Sequence, residues 1–143
     1  MAQNALAELR IPADEEYIPV AKRVASSLGS KLGFSLEELD ELCIAVTQAC
    51  GSAIEASLDS WGDGSSIKLS FASTEGGIAV DVQAVAPRAQ HGLVRSHERA
   101  QVPAQVDDVQ RLALEMIRCF VDDFRSQRNS SRIRYRMVKY LLT

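Results

Sequence analysis

Apolar and polar residues follow helical spacing most clearly between residues 34 and 57. Leu39, Leu42, Cys43, Val46, Ala49, Cys50, Ala53 and Ile54 recur at three- and four-residue steps, one face of a helix about five turns long. Ser35 with Glu38 three residues on forms a capping box, so the helix starts there. Toward its C-terminal half the side chains shrink to Ala, Cys, Gly and Ser, which permits close approach by a sheet, a helix or a ligand. An earlier stripe, Tyr17, Val20, Ala21, Val24, Ala25 and Leu28, predicts a first helix. Asp14, Glu15 and Glu16 suit the positive end of its dipole, Pro19 fits its first turn, and Gly29 or Gly33 ends it. A third helix is expected behind a capping box at Asp107 and Gln110, with Val109, Leu112, Ala113, Met116, Ile117 and Phe120 as its apolar stripe.

Strand patterns fill the rest. Leu6, Leu9 and Ile11 suggest a short first strand ending at Pro12. After the turn at Trp61-Gly62-Asp63-Gly64, Ile67, Leu69 and Phe71 alternate with polar residues, as do Ile78, Val80, Val82 and Ala84, and Glu75-Gly76-Gly77 joins the two strands as a hairpin. A C-terminal hairpin runs from Phe124 to Gln127 and, through Asn129-Ser130-Ser131, into Ile133, Tyr135 and Met137. Arg132, Arg134 and Arg136 form the opposite row, suited to solvent, a phosphate or an acidic partner. Residues 87–105 show no periodicity and read as a long loop.

At 143 residues the chain fits one domain, 1–143, with enough length for a substantial core. A formal net charge of −3 gives no general attraction to nucleic acid or anionic membranes. No run approaches the roughly 20 apolar residues of a membrane span, and Met1-Ala2-Gln3-Asn4 lacks the pattern of a signal peptide, so a cytoplasmic protein is expected. Cys43, Cys50 and Cys119 are expected as small buried apolar residues. The first two are about 10 Å apart along one helix, beyond disulfide reach. His91 and His97 lack acidic or cysteine partners at ligand spacing, so no metal site is expected.

Ile44-Ala45-Val46-Thr47-Gln48-Ala49-Cys50-Gly51-Ser52-Ala53-Ile54, preceded by a helix and a Gly33-Phe34-Ser35 turn, resembles the helix that carries the N-box in anti-sigma factor serine kinases. These belong to the histidine-kinase-like ATPase superfamily. The resemblance extends back to Ile11-Pro12-Ala13 and Glu16-Tyr17, and forward in element order to the C-terminus. It implies an α+β fold, a two-layer α/β sandwich with about three helices on one face of a mixed, mostly antiparallel sheet. It also implies a homodimer and two protein partners, an RNA polymerase sigma factor and an anti-sigma factor antagonist, contacting the first helix and neighbouring surfaces. Glu15, Glu16, Lys22 and Arg23 are the candidate partner-binding residues.

Active members of that family bind ATP between the helices and a lid, here the place of residues 87–105. Their N-box supplies a Glu that orients or deprotonates the serine nucleophile and, one turn on, an Asn that holds Mg²⁺. Here the matching residues are Gln48 and Ser52, and a neutral amide cannot act as the base. The adenine-binding Asp of a D-x-G-x-G motif is replaced in Ala84-Val85-Ala86-Pro87-Arg88. The glycine-rich phosphate turn is replaced in Gln110-Arg111-Leu112-Ala113-Leu114. Gln48, Ser52, Ala84, Arg88 and Arg111 therefore mark a vestigial cleft, with no catalytic residue, cofactor or metal expected. The leading expectation is an anti-sigma-factor-like regulator without kinase activity. The alternatives are an active ATP- and Mg-dependent serine kinase, with Glu55 or Asp81 as substitute base, and a small-ligand sensor using the vacated cleft.

Overall fold

The computed structural model describes residues 3–87, 108–129 and 132–142. In chain order it contains β1 (Asn4–Pro12), a 3-10 turn (Glu15–Tyr17), α1 (Ile18–Leu32), α2 (Leu36–Trp61), β2 (Ser66–Thr74) and β3 (Gly77–Val85). Then follow α3 (Asp108–Phe120), β4 (Asp123–Arg128) and β5 (Ile133–Tyr140). The strands form one sheet in the order β1-β2-β3-β5-β4. All four pairings among the described strands are antiparallel, in line with the expected mostly antiparallel sheet and without the parallel pair that a mixed sheet would add among those strands. Hairpins join β2 to β3 and β4 to β5, whereas β1 reaches its neighbour β2 through the 3-10 turn, α1 and α2, and β3 leads through α3 to the edge strand β4, so that β5 returns between them. The result is an α+β two-layer sandwich consistent with the histidine-kinase-like ATPase fold.

The capping box at the start of α2 is present. Ser35 Oγ accepts from the Glu38 N–H at 3.1 Å, and Glu38 Oε1 accepts from the Ser35 N–H at 2.8 Å. Leu42, Val46, Cys50 and Ile54 are buried as expected, and Ala45, Ala49, Ala53 and Ala56 are fully enclosed. This helix is the spine of the fold, packing on α1, α3 and the middle strands. Its partner face on the sheet is Ile67, Leu69 and Phe71 of β2, Val80 and Val82 of β3, and Tyr135 and Met137 of β5. Gly33, with φ of 102°, ends α1, whereas Gly29 lies inside it, where a Cβ would meet the Leu39 Cδ2 at 2.6 Å. Gly29 thus sets how closely α1 and α2 approach.

Three details depart from expectation. In α1 the buried residues are Ala21, Ala25 and Gly29, while Tyr17 and Val20 are exposed. In α3 the buried residues are Gln110 and Ile117, and Val109, Leu112 and Met116 are exposed. Cys119, expected to be buried, lies exposed on α3, whereas Cys43 and Cys50 are buried. Burial pushes the Cys50 thiol up to about 12, which keeps it an unreactive core residue.

The other carboxylate oxygen of Glu38 accepts from the Leu142 N–H at 2.8 Å, so one side chain ties the start of α2 to the segment after β5. These bonds, first from the Ser35 N–H and then from the Leu142 N–H, hold its carboxyl below the usual range. A lowered folded-state pKa stabilises above the unfolded value, about 4.3, and that contribution is lost as pH falls through the folded pKa. Thermal melts at stepped pH should therefore show wild type losing its advantage over Glu38→Gln below about pH 4. A difference constant with pH would exclude this linkage.

Candidate functional site

The first and second helices build a surface groove of about 370 Å³ lined by Lys22, Asp40, Cys43, Ile44, Thr47 and Gln48. Helical periodicity explains the set: positions 40, 43, 44, 47 and 48 step by three and four along one side of α2, facing Lys22 on α1. Cys43 forms the join, its Sγ donating to the Lys22 carbonyl at 3.7 Å. Burial pushes its thiol up, aided by Asp40, against the opposing pull of Lys22 and of a hydrogen bond with Ser26. A thiol so held is a wall of the groove rather than a nucleophile.

The structure sorts the sequence candidates into separate places. Gln48 and Lys22 share the groove. Arg23, on another side of α1, lines a second and more apolar groove of about 330 Å³ with Val20, Val24, Ser27 and Leu28. Glu15 and Glu16 are exposed in the 3-10 turn, which Asp14 caps by accepting from the Glu16 N–H at 2.9 Å. Ser52 is buried one turn beyond Gln48 and does not line the groove. Ala84 is buried on the helix-facing side of β3. Arg111 is exposed and pairs with Asp108 at 3.8 Å. Arg88, His91, His97 and Asp107 lie outside the described residues, as does the expected loop from residue 88 on.

Residues 110–114, at the place of the phosphate turn, are helical. From Leu112 onward the N–H groups face the carbonyls of the preceding helical turn and are not presented to a ligand. Gln110 instead holds α3 to its neighbours. Its Nε2 donates to Glu55 Oε1 at 3.1 Å, and its Oε1 accepts from Arg128 Nη1 at 2.7 Å. Sequence reasoning missed this bridge, because its partners lie 55 and 18 residues away. Gln110→Ala should cost about 1 to 2 kcal/mol in denaturant unfolding, since the bridged groups lose their shared partner. The two substitute bases also find places: Glu55 engages Gln110, and Asp81 lies on the sheet face away from the helices, bound by Arg134. Asp81 is thus on the wrong layer to serve Gln48.

Relatives match a limited part of the chain. The serine-protein kinase RsbW of Bacillus pumilus is 38% identical over 50 residues, 35% of this chain and 31% of the relative. RsbW of Bacillus subtilis is 33% identical over 48 residues, 34% and 30% of the two chains. RsbW of Halalkalibacterium halodurans is 28% identical over 64 residues, 45% and 38%. Over those stretches the chain is similar to the RsbW serine-protein kinases. The matches span about a third of the length of those RsbW proteins. No protein-family model matches the chain. Among the described residues no helix is long and apolar enough to cross a membrane, and no group of three or more potential ligands could hold a metal ion.

Proposed function

We propose that the chain is an anti-sigma-factor-like regulator that holds a sigma factor by protein–protein contact, is released by an antagonist, and has lost kinase activity. The observation that carries this reading is the neutral amide of Gln48 standing in the α1–α2 groove where the resembled kinases place a carboxylate. Relation to RsbW supports the class, and the helical backbone of residues 110–114 supports the loss of phosphate binding. Lys22 in the groove, Arg23 beside it and Glu15 with Glu16 at the start of α1 are the partner-facing side chains. The protomer pairs with a second copy through or beside α1 or the edge strand β1 in this reading, and sedimentation at micromolar concentration tests it.

Capture of sigma factors by the purified chain should weaken about tenfold with Lys22→Glu, as expected when a charge at a contact is reversed. Unchanged capture would remove the groove from the interface. About 1 mM MgATP should leave the melting temperature unmoved, whereas a site with a hundredfold lower Kd would add about 2.7 kcal/mol. Gln48→Glu alone should not restore binding, because the adenine and phosphate contacts are missing as well. A shift that vanishes without magnesium would overturn the proposal.

One observation favours a second reading, an active serine kinase: Asp40 is a carboxylate in the same groove as Gln48. In that case the chain would transfer phosphate from ATP to the antagonist, and Asp40→Asn would abolish the transfer.

A further inference from the structure

Charge is divided unevenly along the chain. Residues 122–140 carry six arginines and lysines against two acids, so this hairpin has a net charge of +4 within a chain of −3, and the remainder has −7. Two of those cations turn inward. Lys139 reaches Glu41 and the Phe120 carbonyl, both at 2.9 Å, and Arg128 reaches Gln110. Arg125, Arg134 and Arg136 point to the other side of the sheet, which no described helix covers. There they line a groove of about 420 Å³ with Ser126 and Gln127.

The register makes this arrangement unfavourable unless it meets an anion. Arg125 of β4 stands directly opposite Arg136 of β5, and like charges in that relation destabilise a sheet. One acid serves the row from beneath. Asp81 accepts from Arg134 Nε at 2.9 and 3.0 Å and approaches Arg136 Nη1 at 3.9 Å, with its own side chain only 14% exposed. It fixes the direction of Arg134 and lies too deep to cover Arg136 and Arg125 from outside. Asp123 meets Arg125 at 3.7 Å, but both are well exposed, so that pair is weak.

We propose that this groove is a docking surface for an extended acidic segment of a partner protein, with carboxylates at alternate positions. In an extended chain alternate side chains lie about 7 Å apart on one side, the same repeat that separates Arg134 from Arg136. Guanidinium groups receive carboxylates through paired N–H bonds. No described strand pairs with the outer side of β4, which leaves room for an extended segment beside it. Arg118 donates to the Phe124 carbonyl at 3.4 Å, so the segment lies toward the Arg125–Gln127 end. A long nucleic acid fits less well. The groove wall has no aromatic side chain on which a base could stack, and the rest of the chain carries a formal charge of −7, which disfavours a long polyanion. The inference stands apart from the anti-sigma reading, since this face is opposite the α1–α2 groove.

The test uses the full chain and a fluorescent peptide of alternating Glu and Thr, read by anisotropy, with a Gln-for-Glu peptide and an oligothymidylate of equal charge as controls. The alternating peptide should bind, binding should weaken as salt rises, and the Gln peptide should not bind. Arg125→Glu should weaken binding about tenfold or more while leaving the melting temperature unchanged or higher, because it turns a like-charge pair into an opposite one. Arg136→Gln should weaken binding as well, which keeps the test decisive if the first variant misfolds. Peptide binding unaffected by both variants, oligothymidylate binding as tight as the peptide's, or absence of peptide binding at low salt would each overturn the proposal. So would arginine-dependent self-association of the chain that excludes the peptide.

Discussion

Gly77→Ala should destabilise the protein by about 3 kcal/mol, at the upper end of what overpacking costs. Gly77 opens β3, paired with Thr74 on one side and Tyr140 on the other. A Cβ there would fall on the Lys139 carbonyl oxygen, closer than any real Cβ contact, and within 3.0 Å of the Tyr140 Cα. Those atoms are backbone and cannot rotate away, so β3 and β5 must separate. That separation also pulls on Lys139, whose ammonium joins β5 to Glu41 of α2 and to the end of α3. Gly76 is the control. It has φ of 80° with open space around its missing Cβ, so Gly76→Ala meets only backbone strain, about 1 kcal/mol. Urea unfolding of the two variants should rank them in that order. Equal stabilities would mean that the strands give way more easily than their pairing suggests.

The elements legible in the sequence are those whose signals are local. The box at Ser35 and Glu38, the stripe of α2 and the alternation in β2, β3 and β5 each need only neighbours within a few residues. Where partners are distant, the pattern misleads. In α3 the residues 109, 112 and 116 make one apolar stripe, and 110, 114 and 117 make another containing a glutamine. The helix buries the second because Glu55 and Arg128 satisfy Gln110, and nothing near residue 110 announces them. Strand β1 offers a milder case. Its register shifts between Ala5 and Ala7, which leaves Leu6 exposed while Leu9 and Ile11 pack inward. The candidate site was legible in kind but not in shape. Gln48 stood out against a family pattern, yet its groove companions Asp40, Cys43 and Thr47 carry no motif and are assembled only by the crossing of α1 and α2.

Ala49→Leu should destabilise the protein by about 3 kcal/mol and also change partner capture, which ties the spine of the fold to the groove. Ala49 is fully enclosed, as are Ala45 and Ala53 one turn to either side. A leucine adds three carbons where packing is already dense, so either its rotamer is strained or α2 moves off its neighbours. Thr47 and Gln48 are the residues just before it on the same helix, and any shift or twist of α2 there carries them relative to Lys22 on α1. Ile44→Ala separates the two effects. Ile44 is 39% exposed and lines the groove, so its truncation should cost well under the loss expected in the core, while capture of the proposed sigma-factor partner falls. Denaturant midpoints report the first quantity and capture affinities, measured well below the melting temperature, report the second. If Ala49→Leu unfolds at lower denaturant yet captures its partner as wild type does, the groove is not where the partner sits. If Ile44→Ala leaves capture unchanged as well, the contact must lie on the Arg23 side of α1, where Val20, Val24 and Leu28 form the neighbouring apolar surface.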